Sequence, residues 1–270
     1  MTTVRGWLHA HADLPRLDLE LLISHVMSLS RVQILTHPEY QLTNEQLIHL
    51  GTGVAQLRED FPIAYILGQR EFWGLSFKVN PAVLIPRPET ELLVQWAIER
   101  APQGGRLLDL GTGSGAIAIA IESERRDLLI TAVDCSEAAL KVAKKNAVDH
   151  QSRVTFLNSN WFSNVTGHWD IIVANPPYIA PGDAHLPALQ AEPQLALVSP
   201  NKGLADLKQI IENSPNYLAP GGMLALEHGY NQAEPVNKMM NANGFTQVES
   251  MQDLAFIARA TSGRRFRAER

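Results

Sequence analysis

The stretch that most limits what this chain can fold into is Trp169-Asp170-Ile171-Ile172-Val173-Ala174-Asn175-Pro176-Pro177-Tyr178. Its apolar, β-branched run has the length of a strand buried on both faces, which belongs inside a sheet covered by helices. Two prolines then stop it. Neither has an N–H for a neighbouring strand, and each restricts the residue before it, so the strand is expected to end in a rigid corner at Asn175. The Asn175 side-chain oxygen and the Pro176 carbonyl can together accept both hydrogens of an amino group, and the Tyr178 ring offers a flat face to a planar amide or base. This reads as a socket for an sp² amino nitrogen, provided a second half-site exists. An Asn-Pro turn by itself would only end a strand.

From residue 106 onward, strand and helix patterns alternate: strands at 106–110, 129–134, 154–157, 170–174 and 223–227, and helices at 114–123, 136–149, 203–218 and 232–243. Alternation of this kind predicts a parallel sheet with right-handed crossovers and helices on both faces. Two further strands, 245–251 and 254–260, are separated only by Gln252 and Asp253, too short for a crossover, and are expected to form an antiparallel hairpin. The fold class is therefore α/β, a doubly wound, mostly parallel sheet with an antiparallel last strand.

The glycine-rich run Asp109-Leu110-Gly111-Thr112-Gly113-Ser114-Gly115 lies at the carboxyl end of the first of these strands and opens a helix. Glycines there let the backbone turn sharply and approach a ligand, and the helix N-terminus supplies free N–H groups. Asp134 ends the next strand, where a carboxylate can accept both hydroxyls of a ribose. A dinucleotide site also satisfies this pattern, which keeps a hydride-transferring dehydrogenase in view. Asp109 favours a cationic ammonium or sulfonium over a pyrophosphate, and an amino-nitrogen socket has no use in hydride transfer. S-adenosylmethionine fits both halves.

Ahead of the sheet, apolar residues in 2–60 recur at three- and four-residue steps, as in Leu19, Leu22, Ile23 and Val26, and predict about four short helices. Thr43 and Gln46 form a capping box for the last of them. Leu75, Phe77 and Val79 alternate with polar residues, and Asn80-Pro81 precedes Val83-Leu84-Ile85, which reads as a linking β-hairpin. The expected domains are 1–70, helical and substrate-recognising; 71–85, a hairpin linker; and 86–270, catalytic.

A net charge of −5 argues against direct nucleic-acid binding. The single Cys135 cannot form an internal disulfide, and no signal segment or long apolar span is visible, so a cytoplasmic setting without membrane attachment is expected. No Cys/His cluster has metal spacing, and no metal is expected.

Taken together, Pro62-Ile-Ala-Tyr-Ile-Leu-Gly68, Glu71-Phe-Trp-Gly74, Leu84-Ile-Pro-Arg-Pro-Glu-Thr-Glu91, Asp109–Gly115, Asn175–Tyr178, Glu192-Pro193 and Glu227-His-Gly-Tyr-Asn-Gln232 resemble the HemK/PrmC family. These are the glutamine N5-methyltransferases that modify class 1 peptide chain release factors at a Gly-Gly-Gln motif. The resemblance implies a Rossmann-like class I S-adenosylmethionine-dependent methyltransferase. It implies that Gly111, Thr112, Gly113, Ser114, Gly115 and Asp134 hold the cofactor with Trp161 over its adenine side; Asp109, by its charge, and Asn175 are expected to touch it as well. Asn175, Pro176, Pro177 and Tyr178 would grip the substrate glutamine, and Asn175, Pro176 and Tyr178 would serve catalysis. Asn-Pro-Pro-Tyr alone would also suit enzymes that methylate an exocyclic amino group of DNA or RNA. Two departures stand out. Lys202-Gly203 replaces the family's usual Asp-Gly, and Ser262–Arg270, with four arginines, extends past the usual end and reads as a disordered tail. The 25-residue stretch 178–202 is too long for an idle connection and reads as a substrate-binding loop.

Overall fold

The structure is a computed structural model and describes residues 2–266. The chain divides into two units, Met1–Gln69 and Arg70–Arg270.

The first unit is helical: α1 (Val4–Ala10), α2 (Arg16–Met27), α3 (Arg31–Thr36), α4 (Asn44–Arg58) and α5 (Ile63–Leu67). Two capping boxes start α3 and α4. At the second, Gln46 N donates to Thr43 Oγ1 at 3.2 Å and Thr43 N donates to Gln46 Oε1 at 2.9 Å. Val4, Trp7, Leu19, Ile23, Leu50 and Val54 form its core. The helices α2 and α4 approach closely because Gly53 has no side chain; a Cβ there would meet the Leu22 methyls at 2.7 Å.

The second unit opens with a hairpin of β1 (Gln69–Phe72) and β2 (Leu75–Lys78). Trp73 and Gly74 turn it, both with positive φ, 53° and 69°, as a two-residue hairpin requires. The hairpin thus lies earlier than the sequence reading placed it. Val83–Ile85 is not a strand, because Asn80 Oδ1 takes the Ala82 N–H at 2.9 Å and bends the chain, while the Ile85 N–H goes to Glu192 Oε2 at 3.0 Å. Phe72 and Phe77 pack into the core of this unit.

The main sheet has seven strands: β3 (Arg106–Leu110), β4 (Leu129–Asp134), β5 (Thr155–Asn158), β6 (Trp169–Ala174), β7 (Leu218–Glu227), β8 (Phe245–Gln252) and β9 (Ala258–Arg265). Their order is β5-β4-β3-β6-β7-β9-β8. The first five are mutually parallel; β9 runs antiparallel between β7 and β8. The helices α6 (Glu91–Arg100) and α7 (Ala116–Glu124) cover one face. Residues of α10 (Ala205–Asn213) and α11 (Ala233–Ala242) cover the other. The connection from β4 to β5 carries α8 (Glu137–Asp149), and a single turn, α9 (Pro200–Gly203), precedes α10. Between β3 and its two neighbours the strand order reverses, and a crevice opens at the carboxyl ends of β3 and β6.

The last hairpin departs from the sequence reading. Leu254, Phe256 and Ile257 imitate a strand, yet Leu254 is fully exposed. Asp253 Oδ1 instead collects the N–H groups of Ala255 and Ile257 at 2.9 and 3.0 Å and makes a loop of them. The paired strand starts at Ala258 and runs through Ser262 and Arg265, where a disordered tail was expected; Ser262 is fully buried and pairs with Ala225 of β7. The final four residues of that expected tail, 267–270, lie outside the described residues.

Candidate active site

The crevice holds two neighbouring cavities. The larger, about 320 Å³, is lined by Gly111 and Gly113 after β3, Asp134 and Cys135 after β4, Trp161, Asn175 and Pro177, and residues of the 178–202 loop such as Pro193 and Leu195. The smaller, about 140 Å³, is lined by Leu84, Arg87, Asn175, Tyr178, Ile179, Leu189, Ala196 and Leu197. Asn175 borders both.

The glycine turn is held by the strand next to the one it leaves. Gly111 and Thr112 donate their N–H groups to the Val133 carbonyl at 2.8 and 2.9 Å. This ties the turn to β4, and Gly111, Gly113 and Gly115 take φ of 72°, 55° and 84°, which side-chain-bearing residues reach only with strain. Gly113 also donates to Asp134 Oδ2 at 2.9 Å, and Ser136 N donates to Asp134 Oδ1 at 2.8 Å. Asp134 therefore stands oriented in the cavity wall. Burial raises its pKa, and the backbone N–H groups of Ser136, Gly113 and Cys135 oppose that rise.

Four residues expected to touch a cofactor do not line the cavity. Asp109 is fully buried under the turn; its Oδ2 accepts the Thr112 hydroxyl at 2.6 Å. Its Oδ1 has no partner of ordinary hydrogen-bond geometry. Burial, with the nearby charge of Asp134, raises the Asp109 pKa to about 7 against the Thr112 hydroxyl and the Ala118 N–H. Thr112 and Ser114 are buried as well. The Ser114 carbonyl accepts Asn146 Nδ2 at 2.8 Å, and Gly115 packs so closely that a Cβ would lie 3.0 Å from Ile119 Cδ1. These residues shape the turn from behind.

Trp161, with φ of 47°, closes one side. Its Nε1 donates to Asp206 Oδ1 at 3.2 Å, and Asp206 Oδ2 accepts the Ser199 hydroxyl at 2.6 Å. Asp206, which nothing in the sequence pattern singled out, thus ties the Trp161 ring to the end of the 178–202 loop. That loop returns on itself: Ile179 N donates to the Leu197 carbonyl and Ser199 N to the Ile179 carbonyl, both at 2.9 Å. Glu192, only 4% exposed, fastens its middle to Ile85 N and to Arg87 Nη2.

At the corner, Pro176 is buried and lines neither cavity, whereas Pro177 borders the larger one. Asn175 Nδ2 donates to Thr90 Oγ1 at 3.1 Å, which leaves the side-chain oxygen for the cavities. The Tyr178 hydroxyl donates to Glu227 Oε1 at 3.1 Å. Burial and the charge of Glu227 hold that phenol protonated far above its ordinary range, so its part is to offer a ring face.

The residues present fit a nucleoside: a turn without side chains at Gly111 and Gly113, the oriented Asp134 carboxylate in the wall, and the Trp161 ring lying against Gly111, where a Cβ would be 3.2 Å from it. Among the described residues, no group of His, Cys, Asp and Glu is arranged to hold a metal ion, and no helix is long and apolar enough to cross a membrane.

Two family patterns match the chain. Residues 88–192 match the Methyltransferase small domain, and residues 7–68 match the PrmC N-terminal domain. The Release factor glutamine methyltransferase of Coxiella burnetii is 45% identical over 255 residues, spanning 93% of this chain and 92% of that protein. Its namesake from Escherichia coli K12 is 45% identical over 259 residues, spanning 94% and 93%. The crystal structure of a methyltransferase from Pyrococcus furiosus superposes with a TM-score of 0.57 at 18% identity, over 78% of this chain and 97% of that one, a likeness of fold.

Proposed function

The chain belongs to the release factor glutamine methyltransferase family, and on that premise we propose that it methylates the side-chain amide nitrogen of a glutamine in class 1 peptide chain release factors. The observation that carries this reading is the place of Asn175, whose side chain borders both cavities. One cavity suits a methyl donor and the other a side chain to be methylated. The donor is assigned as S-adenosylmethionine, which supplies the methyl group on a positively charged sulfur that is already a good leaving group.

The chain's own residues then have separate tasks. Gly111 and Gly113 admit the donor close to the backbone, Asp134 accepts from the ribose hydroxyls, and Trp161 covers the base. Asn175 Oδ1 accepts an N–H of the target amide and orients its nitrogen, a poor nucleophile because its lone pair is delocalised. As that nitrogen becomes positive the same bond strengthens, which is where the rate gain comes from. The smaller cavity is lined by no carboxylate or imidazole. The proton released after alkylation is therefore assigned to solvent, since the alkylated amide is acidic enough to need no base.

The helical unit Met1–Gln69 is assigned to recognition of the release factor. It exposes Val32 and Ile48, each 69% accessible. The test is mass spectrometry of a purified release factor after incubation with enzyme and methyl-labelled S-adenosylmethionine. One added methyl group on a glutamine is the expected result. A methylated base in DNA or RNA with the release factor left unmodified would reject it.

A further inference from the structure

The loop joining β8 to β9 displays two large apolar side chains that the packing of the sheet does not use. Leu254 is fully exposed and Phe256 is 81% exposed. Single exposed apolar residues are ordinary on a protein surface, but these two sit on a loop that is held in shape. Besides the Ala255 and Ile257 N–H groups, the Asp253 carboxylate accepts Arg259 Nε at 2.8 Å. Phe256 N donates to the Asp253 carbonyl and Asp253 N to the Ile257 carbonyl, both at 2.9 Å. Phe256 is fixed there with φ of 61°, a left-handed conformation that is an outlier for a bulky residue. Backbone strain in an aromatic residue held out in water points to contact with another molecule.

The sheet puts this loop at the edge where the smaller cavity lies. Asn175 follows Ala174, which pairs with Leu226 of β7; the next residue of β7, Glu227, pairs with Ala260 of β9. His228 N donates to the Arg259 carbonyl at 2.8 Å. Asn175 and the start of β9 are therefore level and two strand steps apart, about 10 Å at the usual spacing. Tyr230, also exposed, stands on the turn from β7 to α11. That turn is bonded to the substrate corner, since Gly229 N donates to Gln232 Oε1 at 2.8 Å and Gln232 Nε2 donates to the Tyr178 carbonyl at 3.0 Å.

A cavity of about 140 Å³ admits little more than one side chain, so a protein substrate must lay the surface around its target residue on the rim. An interface of ordinary size covers about 800 Å² on each partner, equivalent to a disc of radius about 16 Å. The start of β9, about 10 Å from Asn175, falls inside it. We propose that Leu254 and Phe256 form a docking surface for the release factor: an apolar patch of that protein covers them while its glutamine side chain enters the smaller cavity. The hydrogen-bonded loop holds both side chains out before contact, so little order is lost on binding. This inference rests on the reading of a release factor as the substrate, and it adds a second contact to the one assigned to the helical unit.

The experiment measures kcat and KM for methylation of a purified class 1 release factor by the full chain, with cofactor affinity, melting temperature and sedimentation recorded for each variant. Phe256→Asn removes the ring and suits the left-handed backbone, so the loop keeps its shape; Leu254→Ser removes the second side chain. Leu129→Ser is the control, because Leu129 is 65% exposed at the start of β4, on the opposite edge of the sheet. Phe256→Asn should raise the KM for release factor about tenfold, and the Leu254→Ser, Phe256→Asn double variant further still. In both, kcat at saturation and cofactor affinity should stay within about twofold of wild type and the melting temperature should not fall, while Leu129→Ser leaves KM unchanged. An unchanged KM in the double variant would overturn the proposal, and so would an equal rise in Leu129→Ser. A wild-type dimer that the double variant loses, with KM unaltered, would give the surface to a second copy of this chain instead. A wild-type enzyme that leaves every glutamine unmodified would overturn the function on which the proposal stands, and is told apart because no variant is needed to see it.

Discussion

Gly203 lies against the backbone of Tyr178 so closely that a Cβ on it would stand 2.0 Å from the Tyr178 carbonyl oxygen. Its φ is 82°, and Gln232 Nε2 donates to that same carbonyl at 3.0 Å and to the Lys202 carbonyl at 3.2 Å. The return end of the 178–202 loop is thus pinned directly behind the substrate corner. Gly203→Ala should displace it and lower stability by well over the ~1 kcal/mol that an incompatible φ alone costs. Gly74→Ala is the control, because that glycine has φ of 69° with open space around it. Thermal melts should separate the two, and only Gly203→Ala should abolish methylation.

The adjacent Lys202 explains how the family's usual Asp can be replaced. Lys202 has φ of 59° and an exposed side chain, and what the fold uses is its backbone carbonyl. Asn and Asp tolerate the left-handed conformation better than Lys. Lys202→Asn should therefore raise the melting temperature slightly and leave kcat unchanged; a lowered kcat would show that the lysine side chain is used.

Asp134 is expected to govern cofactor affinity. Each charged hydrogen bond to it is worth about 1.5–3 kcal/mol, so Asp134→Ala should weaken S-adenosylmethionine binding at least roughly tenfold in calorimetry. Part of that loss arises inside the protein, since Asp134 also holds Gly113 N. Asp134→Asn keeps an oxygen for one of the donors Gly113 N and Ser136 N and should bind better than the Ala variant.

Most of the fold was legible because its signals were local. Ile171, Ile172 and Val173 sit in a strand buried on both faces, and Thr43 and Gln46 cap α4 as their spacing required. The errors fell where a long-range partner overrode a local pattern. Val83–Ile85 has strand composition, but Glu192, more than a hundred residues on, takes the Ile85 N–H. Leu254 and Phe256 alternate like a strand while Asp253 folds them into a loop. The site was half legible for the same reason. Gly111, Gly113, Asp134, Trp161 and Asn175 meet at one cavity as their motifs implied, whereas Thr90, Asp206 and Glu192 act through partners distant in sequence. Asp109 was read as a cation acceptor from its position before the glycines, and it is enclosed beneath them because β3 ends one residue later.

Stability should respond to pH through Glu227 in a direction opposite to that of a paired surface carboxylate. Its carboxyl titrates at an ordinary value of 4.5 and is raised to about 7 in the fold, with burial as the main cause. Between those values the folded state keeps a proton that the unfolded state has released, so stability declines as pH rises. Glu227→Gln removes that decline. The melting temperature of the variant, relative to wild type, should climb between pH 4.5 and about 7 and then level off. A difference that stays constant over that range would mean that Glu227 is not buried as an acid.

The most demanding outcome concerns Asn175. If its oxygen receives the target amide, removing it withdraws one preoriented group from the transition state, which typically costs about 2.7–4 kcal/mol or roughly 10²–10³ in rate. Asn175→Ala should show that loss in kcat with a melting temperature close to wild type, because the side chain is only partly buried and makes one side-chain bond, to Thr90. Asn175→Asp preserves shape and acceptors, and from the sequence alone it would be expected to retain partial activity. The bond to Thr90 changes that expectation. An aspartate has no N–H to give Thr90, so the Asn175–Thr90 bond can persist only with the Thr90 hydroxyl as its donor. With the bond reversed the side chain is held differently from the amide, and Asn175→Asp should be no faster than Asn175→Ala near neutral pH. An Asp variant that outpaces the Ala variant at every pH would show that the amide N–H toward Thr90 contributes nothing. Normal turnover in Asn175→Ala would show that the corner only ends a strand.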